Sequence, residues 1–445
     1  MTVSIQKTMR GQILQLAWPV ITEGLAVMAV NVLVTAMVGR LGAVALAGVA
    51  LATLIQSATV MILAAAGTGA AAIVARETGA GNWPEVRRVA GQAVLLGLLL
   101  GGVLALTGVG LAGPLLSLTG AEPDVLDLAA DLVRILLAFS PFILTLSIGN
   151  AVLRGMGLTR LSFYVTAAGN SVSLLMSWQL IFGVGLPQLG VYGAVWGTGI
   201  GQVFGALISL LLLVRQEHVR LRWGQVMTWH RETVERIARI SIPTVLEQTA
   251  LQGGRMVFTF MLAGVGTAQF AGHQIALQVE SMSFMPGFGL CVAAMTLVGQ
   301  NLGRGLPHRA EQYARMANRI AFWGMAAVGA FMFLFARELT SLFIQDPEVI
   351  YWGTLCVMIA VLEQPTLGST MVLGGVLRGA GDTRWPMYVT AIGVWIFRMP
   401  LGYLFILVWG FDITAGWYIT AVDFLVRTVI FWRRFTSGKW RSVNY

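Results

Sequence analysis

Five carboxylates stand inside otherwise apolar stretches of this chain: Glu23, Glu247, Glu280, Glu363 and Asp423. A charge at the middle of a bilayer costs about 2.5–3.5 kcal/mol even on permissive insertion scales, so such groups usually face a cavity and bind something there. Glu23 sits in AWPVITEG (17–24) and Glu247 in SIPTVLEQ (241–248), each four residues after a proline and 224 residues apart. Glu363 lies two residues before Pro365. Proline removes a backbone donor and bends the helix, leaving a free carbonyl. A carboxylate beside such carbonyls suits a proton or Na⁺, so Glu247 and Glu363 are the leading candidates for binding a coupling cation. Glu280, in HQIALQVESMSFMPGFG, and Glu23, nearer a helix end, are the further ones. Asp423 and Arg427 are four apart, the spacing of a local ion pair. Arg255 and Arg398 are the other bases well inside apolar segments, while Arg134 and Arg319 lie nearer segment ends.

The other polar and aromatic candidates suit substrate contact. Asn31, Gln56, His273, Gln274, Met282, Met285 and Phe288 are expected along a substrate-facing surface. Met282, Phe284, Met285 and Phe288 surround Pro286 and form an adaptable apolar wall for bulky cations. A lone His is more often a packing residue than a proton relay. RETGAGN (76–82) and GQNLGRG (299–305) are Gly-rich, but neither joins a strand to a helix, so they read as tight turns. Arg154-Gly155 and Arg378-Gly379 begin twin turns, where Arg is expected to cap helix ends and pair with acids such as Asp382. No metal-ligand spacing, Ser-His-Asp set or cofactor loop is visible, so neither an enzyme nor a cofactor beyond a coupling ion is expected. Cys291 and Cys356 both lie in apolar segments and offer no disulfide framework.

Hydrophobic residues make up 57% of the 445, charged residues 11%, and mean hydropathy is +0.77. A soluble domain is about 25% charged. The long apolar runs (Val44–Ile73, Val89–Leu118, Trp196–Val214) match or exceed the length of about 20 residues that a spanning helix needs. They lack the period-two alternation of a membrane barrel. The chain is thus an all-α membrane protein in the lipid bilayer. Twelve spans are expected, near 14–38, 47–72, 89–113, 128–153, 161–183, 189–214, 237–262, 270–298, 317–336, 350–376, 386–410 and 413–432. The first is too long for a cleavable signal core. One set of connections holds almost all the Arg, Arg76, Arg160, Arg222 and Arg304 among them, and both tails join it with Lys7, Arg10, Arg433 and Lys439. The opposite set carries Glu122, Asp124, Asp127, Glu338, Asp346, Glu348 and Asp412. The positive-inside rule then places both termini in the cytoplasm of a bacterial-type inner membrane. Orientation also accounts for the net charge of +9 without a nucleic-acid partner.

The 224-residue offset recurs along the chain. VLRGMGLTRLSFYVTAAG (152–169) matches VLRGAGDTRWPMYVTAIG (376–393), and Pro141 matches Pro365, with no gap. Residues 1–214 read as one six-helix bundle, 215–236 as a cytoplasmic linker and 237–445 as a second bundle with a cytoplasmic tail. An even number of spans per repeat relates the halves by a pseudo-twofold along the membrane normal, an arrangement that suits alternating access. It weighs against a channel, which more often closes a ring of identical subunits.

WPVITEG with VGRLGAVALAG (18–24, 38–48), AGHQIALQVESMSFMPGFGLCVAAMTLVGQNLGRG (271–305) and VLRGAGDTRWPMY (376–388) resemble the multidrug and toxic compound extrusion (MATE) transporters over nearly the whole chain. The resemblance implies two six-helix bundles forming a V-shaped cleft, and a monomer exporting organic cations and drugs in exchange for H⁺ or Na⁺. A flippase for lipid-linked substrates of the same superfamily is the alternative, but it wants a basic cleft, and deep Arg is sparse here. One branch of the family carries an Asp in helix 1 where this chain has Val34, with Asn31 the nearest polar residue. Another carries acids on helices 7 and 10 at positions that are here Leu251 and Leu367. Glu247 and Glu363 each lie one helical turn earlier, which predicts a coupling pair in the carboxy-terminal half displaced by a turn.

Overall fold

A computed structural model describes residues 2–117, 123–217, 219–221, 224, 226 and 228–443, with backbone alone at 2–7, 109, 111 and 115. Glu122, Arg222 and the Lys7 side chain lie outside the described residues. In hydrocarbon every backbone N–H and C=O must be satisfied internally, and all regular elements among the described residues are helical. In order they are α1 (Thr2–Gly39), α2 (Ala43–Ala64), α3 (Ala66–Ala80), α4 (Trp83–Ser117), α5 (Pro123–Ala138), α6 (Ser140–Gly155), α7 (Thr159–Phe182) and α8 (Val191–Arg215). Then come α9 (Arg231–Ala263), α10 (Thr267–Gly303), α11 (Pro307–Leu334), α12 (Ala336–Ser341), α13 (Pro347–Ala360), α14 (Gln364–Gly379) and α15 (Arg384–Ala391). After α15 the helix winds as a π-helix over Ile392–Arg398, returns to α in α16 (Met399–Gly402), and is π again over Tyr403–Val408. α17 (Ile413–Thr436) and a 3₁₀ turn (Lys439–Ser442) end the chain.

Eight of these helical stretches are long and apolar enough to cross a bilayer, and two bent pairs add two more spans. The remaining two expected spans fall on α7 and α9, 24 and 33 residues long but more polar. The segments read as single spans at 128–153 and 350–376 are each broken. α5 and α6 meet at 50°, and α13 and α14 at 52°. The cause is repeated in sequence: Pro141 and Pro365 are the second residues of α6 and α14, where a missing N–H is tolerated only at a helix start. α9 begins at Arg231, so the last residues of the expected linker are helical.

Contacts divide the chain into two compact units, Thr22–Ser241 and Met1–Ile21 with Ile242–Tyr445. The cuts fall inside α1 and α9, close to Pro19 and Pro243, rather than at the linker. In the amino-terminal unit, the first turns of α9 are held by Ser241 donating to the Ala66 carbonyl at 2.6 Å and by Arg236 on Glu77 at 2.7 Å. Its apolar core joins Val38, Val49, Leu104, Leu132, Leu136 and Ile181. In the carboxy-terminal unit, Ile13 and Ala17 of α1 pack with Leu290, Ala294, Leu373 and Phe431.

Equivalent close contacts recur in both units. A methyl group on Gly155 would lie 2.6 Å from the Ala71 carbonyl oxygen, and one on Gly379 would lie 2.3 Å from that of Met295. The helices approach to backbone distance at these points. Gly379→Ala is therefore expected to cost about 1–3 kcal/mol. Thermal unfolding in detergent measures it, with Gly374→Ala, whose methyl would meet nothing nearer than 3.5 Å, as the neutral control.

Candidate functional site

Glu23 and Glu247, equivalent in sequence, also have equivalent partners. In the amino-terminal unit Glu23 accepts from Thr166 at 2.8 Å and Ser162 at 3.1 Å, with Arg154 at 3.9 Å. In the carboxy-terminal unit Glu247 accepts from Arg378 at 2.7 Å and Thr390 at 3.1 Å. Arg154 and Arg378, and Thr166 and Thr390, are repeat pairs from the longest matched stretch. The expected partnership of these arginines with Asp382 does not form. Asp382 instead binds Arg434 at 2.8 Å, and burial pushes its carboxyl up from the usual range against the pull of that guanidinium. The position equivalent to Ser162 is Pro386, which has no hydroxyl, and no donor reaches Glu247 Oε2 among the described residues. Thr390→Val should remove one hydrogen bond to a buried carboxylate, a loss of about 1.5–3 kcal/mol read as a lower unfolding temperature.

The second constellation exists in one unit only. Glu363 stands immediately before α14, at the break in the bent span, and its side chain makes no capping hydrogen bond to the helix. It is fully buried. The group it faces is the carboxyl of Glu280 on α10. Of the two glutamates anticipated from sequence as a pair, Glu363 faces Glu280 and Glu247 binds Arg378. No hydrogen-bond donor reaches either Glu363 oxygen, or the side-chain O and N of adjacent buried Gln364, among the described residues. Beside this pair Asp423 is also fully buried. It receives Arg427 Nε at 2.8 Å, the local pair expected from spacing, and also Arg398 Nε at 2.9 Å from the π-wound segment. Arg398 lies within electrostatic range of both Glu280 and Glu363. Two facing carboxyls, Glu363 fully buried and Glu280 half-buried, repel unless a proton or cation lies between them, so they act as one binding unit.

The amino-terminal unit has the same frame without this chemistry. The repeat mates of Glu363 and Glu280 are Phe139 and Gln56. Phe139 occupies the same break, stacked edge-on against Trp196 at 5.5 Å. Gly393, which packs on Asp423 and Arg427, corresponds to Gly169, which packs on the backbone of Gly201 and Gly205. Leu367 is buried and Leu251 half-buried, and neither adds a polar group.

The expected substrate-facing residues divide by exposure. Asn31, Gln274, Met282 and Phe288 are exposed, Gln56 and Met285 half-buried. His273 departs from the expectation: it is 5% exposed, edge-on to Trp417 at 5.5 Å and beside Phe270. Aromatic packing removes it from any open surface. Phe284 and Phe288 stack at 6.5 Å beside Pro286. Cys291 and Cys356 are free thiols, both buried.

The MatE family profile matches the chain twice, over residues 19–179 and 243–404, so the two matches begin at Pro19 and Pro243, themselves a repeat pair. The chain is 31% identical over 437 residues to the probable multidrug resistance protein NorM of Thermotoga maritima, which covers 97% of this chain and 93% of that protein. It is 30% identical over 417 residues to the probable multidrug resistance protein NorM of Rhizobium meliloti, covering 91% and 86%. It shares the fold of a MATE transporter from Vibrio cholerae, with a TM-score of 0.90 and 22% identity over 99% of this chain and 98% of that one.

Proposed function

Because the chain belongs to the MatE family, we propose that it is a secondary active multidrug exporter, moving organic cations out of the cell in exchange for a coupling ion bound at Glu280 and Glu363. The observation that carries this reading is the facing carboxyl pair at the broken span, with four buried polar atoms of Glu363 and Gln364 left without partners among the described residues. Buried polar atoms are nearly always satisfied, and exceptions mark a bound species or a catalytic role. The absence of this pair from the equivalent place in the other unit supports a role beyond holding the fold. A proton suits the pair better than Na⁺. It needs only two oxygens, whereas Na⁺ needs a fuller shell and would sit in the field of Arg398.

Export follows from competition. The protonated pair presents no net attraction to an organic cation, and the ionised pair does. Proton entry from the high-proton side would then displace the drug, so that one gradient drives the other. Ionised Glu280 and Glu363 supply the attraction, and the Met282 to Phe288 stretch of the same helix supplies adaptable apolar contact. The basic connections and tails orient the chain in a cytoplasmic membrane with both termini inside.

The test is ethidium transport by the purified protein in proteoliposomes under an imposed pH gradient, with a Na⁺ gradient in parallel. Driven accumulation under the pH gradient alone is expected. Equal ethidium flux with and without either gradient would reject the exchanger.

A further inference from the structure

We propose that Arg398 is the tethered counter-cation of the Glu280–Glu363 pair, leaving Asp423 for the pair when its proton departs and returning when the proton is replaced. This rests on the exchanger reading above and gives the same site an internal switch.

Four observations carry it. Asp423 is held twice: Arg427, one turn along α17, binds its Oδ1 at 2.8 Å, so the carboxylate keeps a bidentate partner if Arg398 departs. Arg398 binds Oδ2 alone, at 2.7 Å, an oxygen that Arg427 also reaches, and lies within electrostatic range of both glutamates. Its guanidinium lies over the faces of Phe258 and Phe424, at 5.9 and 5.5 Å, a slot that attracts a cation without fixing it in one hydrogen-bonded geometry. Finally, Arg398 ends the π-wound turn Ile392–Arg398, two residues before Pro400, which has no N–H to return to the Ile396 carbonyl. π-turns are rare, lie often at functional sites, and mark helix that is not held in regular α register.

The charges require such a partner. Asp423, Glu280 and Glu363 supply three carboxylates, and Arg398 and Arg427 supply two guanidiniums. With one proton on the glutamate pair the cluster is neutral, and without it the excess negative charge lies on the pair. The other charged and titratable groups facing the cluster do not fill that place. Arg255 acts on Glu280 more strongly than Arg398 does, and on His273, but it is exposed, whereas Arg398 acts on both glutamates; Glu247, which acts on Arg427, is engaged by Arg378. A drug cation and Arg398 would therefore compete for the ionised pair, which keeps the empty ionised state from being trapped.

The experiment compares wild type, Arg398→Gln, Arg398→Lys and Glu363→Gln in proteoliposomes, reading the pH profile of ethidium export, and in weakly buffered detergent solution, reading protons released on ethidium binding. Removing Arg398 strengthens proton retention by the pair. Arg398→Gln should therefore move the alkaline limb of the profile upward by about one pH unit and reduce proton release, while Arg398→Lys stays close to wild type. Infrared difference spectra of protein labelled with ¹³C,¹⁵N-guanidino arginine read the guanidinium directly, with the charge-keeping Arg398→Lys assigning the band. They should show a guanidinium band that shifts between acid and alkaline pH and is missing in Arg398→Lys. A wild-type pH profile in Arg398→Gln, or no pH-dependent guanidinium band, overturns the switch. Wild-type export and proton release in Glu363→Gln would instead overturn the exchanger site on which it rests.

Discussion

In proteoliposomes under a pH gradient, Glu363→Gln is expected to move ethidium no faster than protein-free vesicles, while reaching the membrane at wild-type level. The stability side is favourable because Glu363 contributes no side-chain cap to α14 and accepts no hydrogen bond from a donor group among the described residues. Gln has the same shape, so the change should stay within about 0.5 kcal/mol, as for substitutions that break no contact. Phe139 makes the same point from within the chain: the equivalent break, bent by 50° against 52°, forms around a side chain with no charge. What Gln cannot do is take and release a proton. A carboxyl pair reduced to one member loses both the repulsion that expels the second proton and the charge that attracts a cation. Glu280→Gln should fail in the same way, and the double variant should fail no further, because the two carboxyls form one unit. Driven export at more than half the wild-type rate in Glu363→Gln would remove the pair from the mechanism.

The sequence carried a good deal of this, unevenly. Helical membrane character, the twelve segments and the internal repeat were legible because apolar length and register survive in composition and spacing. Pro141 and Pro365 were visible too, yet the breaks they cause were not. Hydropathy records how long an apolar run is, not whether it changes direction. Glu280 and Glu363 come from α10 and α14, and no periodicity reveals which faces of two distant helices meet. The pairing Glu247 with Glu363 was inferred from their similar setting beside prolines, which says nothing about partners. The arginine partners were within reach: Arg154, Arg378, Thr166 and Thr390 all stand in the matched stretches 152–169 and 376–393. Their place beside glycine turns made them look like helix caps. The cuts at Ile21 and Ser241 were hidden for another reason: a helix that passes from one compact unit to the next has an unbroken apolar pattern.

Glu247→Ala should be more destabilising than Glu23→Ala, although the two residues are repeat mates. Glu247 is 2% exposed and holds Arg378 at 2.7 Å. Deleting it leaves the partly buried Arg378 guanidinium without its carboxylate, a loss that approaches the roughly 3–5 kcal/mol of a fully buried pair deprived of one member. Arg154 stands 3.9 Å from Glu23, too far for a tight pair, and the remaining donors there are the hydroxyls of Ser162 and Thr166. Their loss of an acceptor amounts to about 1–3 kcal/mol. The double variant Glu247→Ala with Arg378→Ala should recover part of the loss, since removing both charges removes the unpaired one. Unfolding temperatures in detergent measure all three. Arg378 lies at the far end of α14 from Glu363, so the ion pair anchors the same half-helix whose first residue follows the coupling carboxyl. Glu247→Gln, which keeps an acceptor for Arg378 and Thr390, should therefore retain gradient-driven export that Glu363→Gln loses. If Glu247→Gln instead abolishes export at unchanged unfolding temperature, Glu247 binds the coupling ion itself, and its contact with Arg378 is part of the transport cycle rather than an anchor.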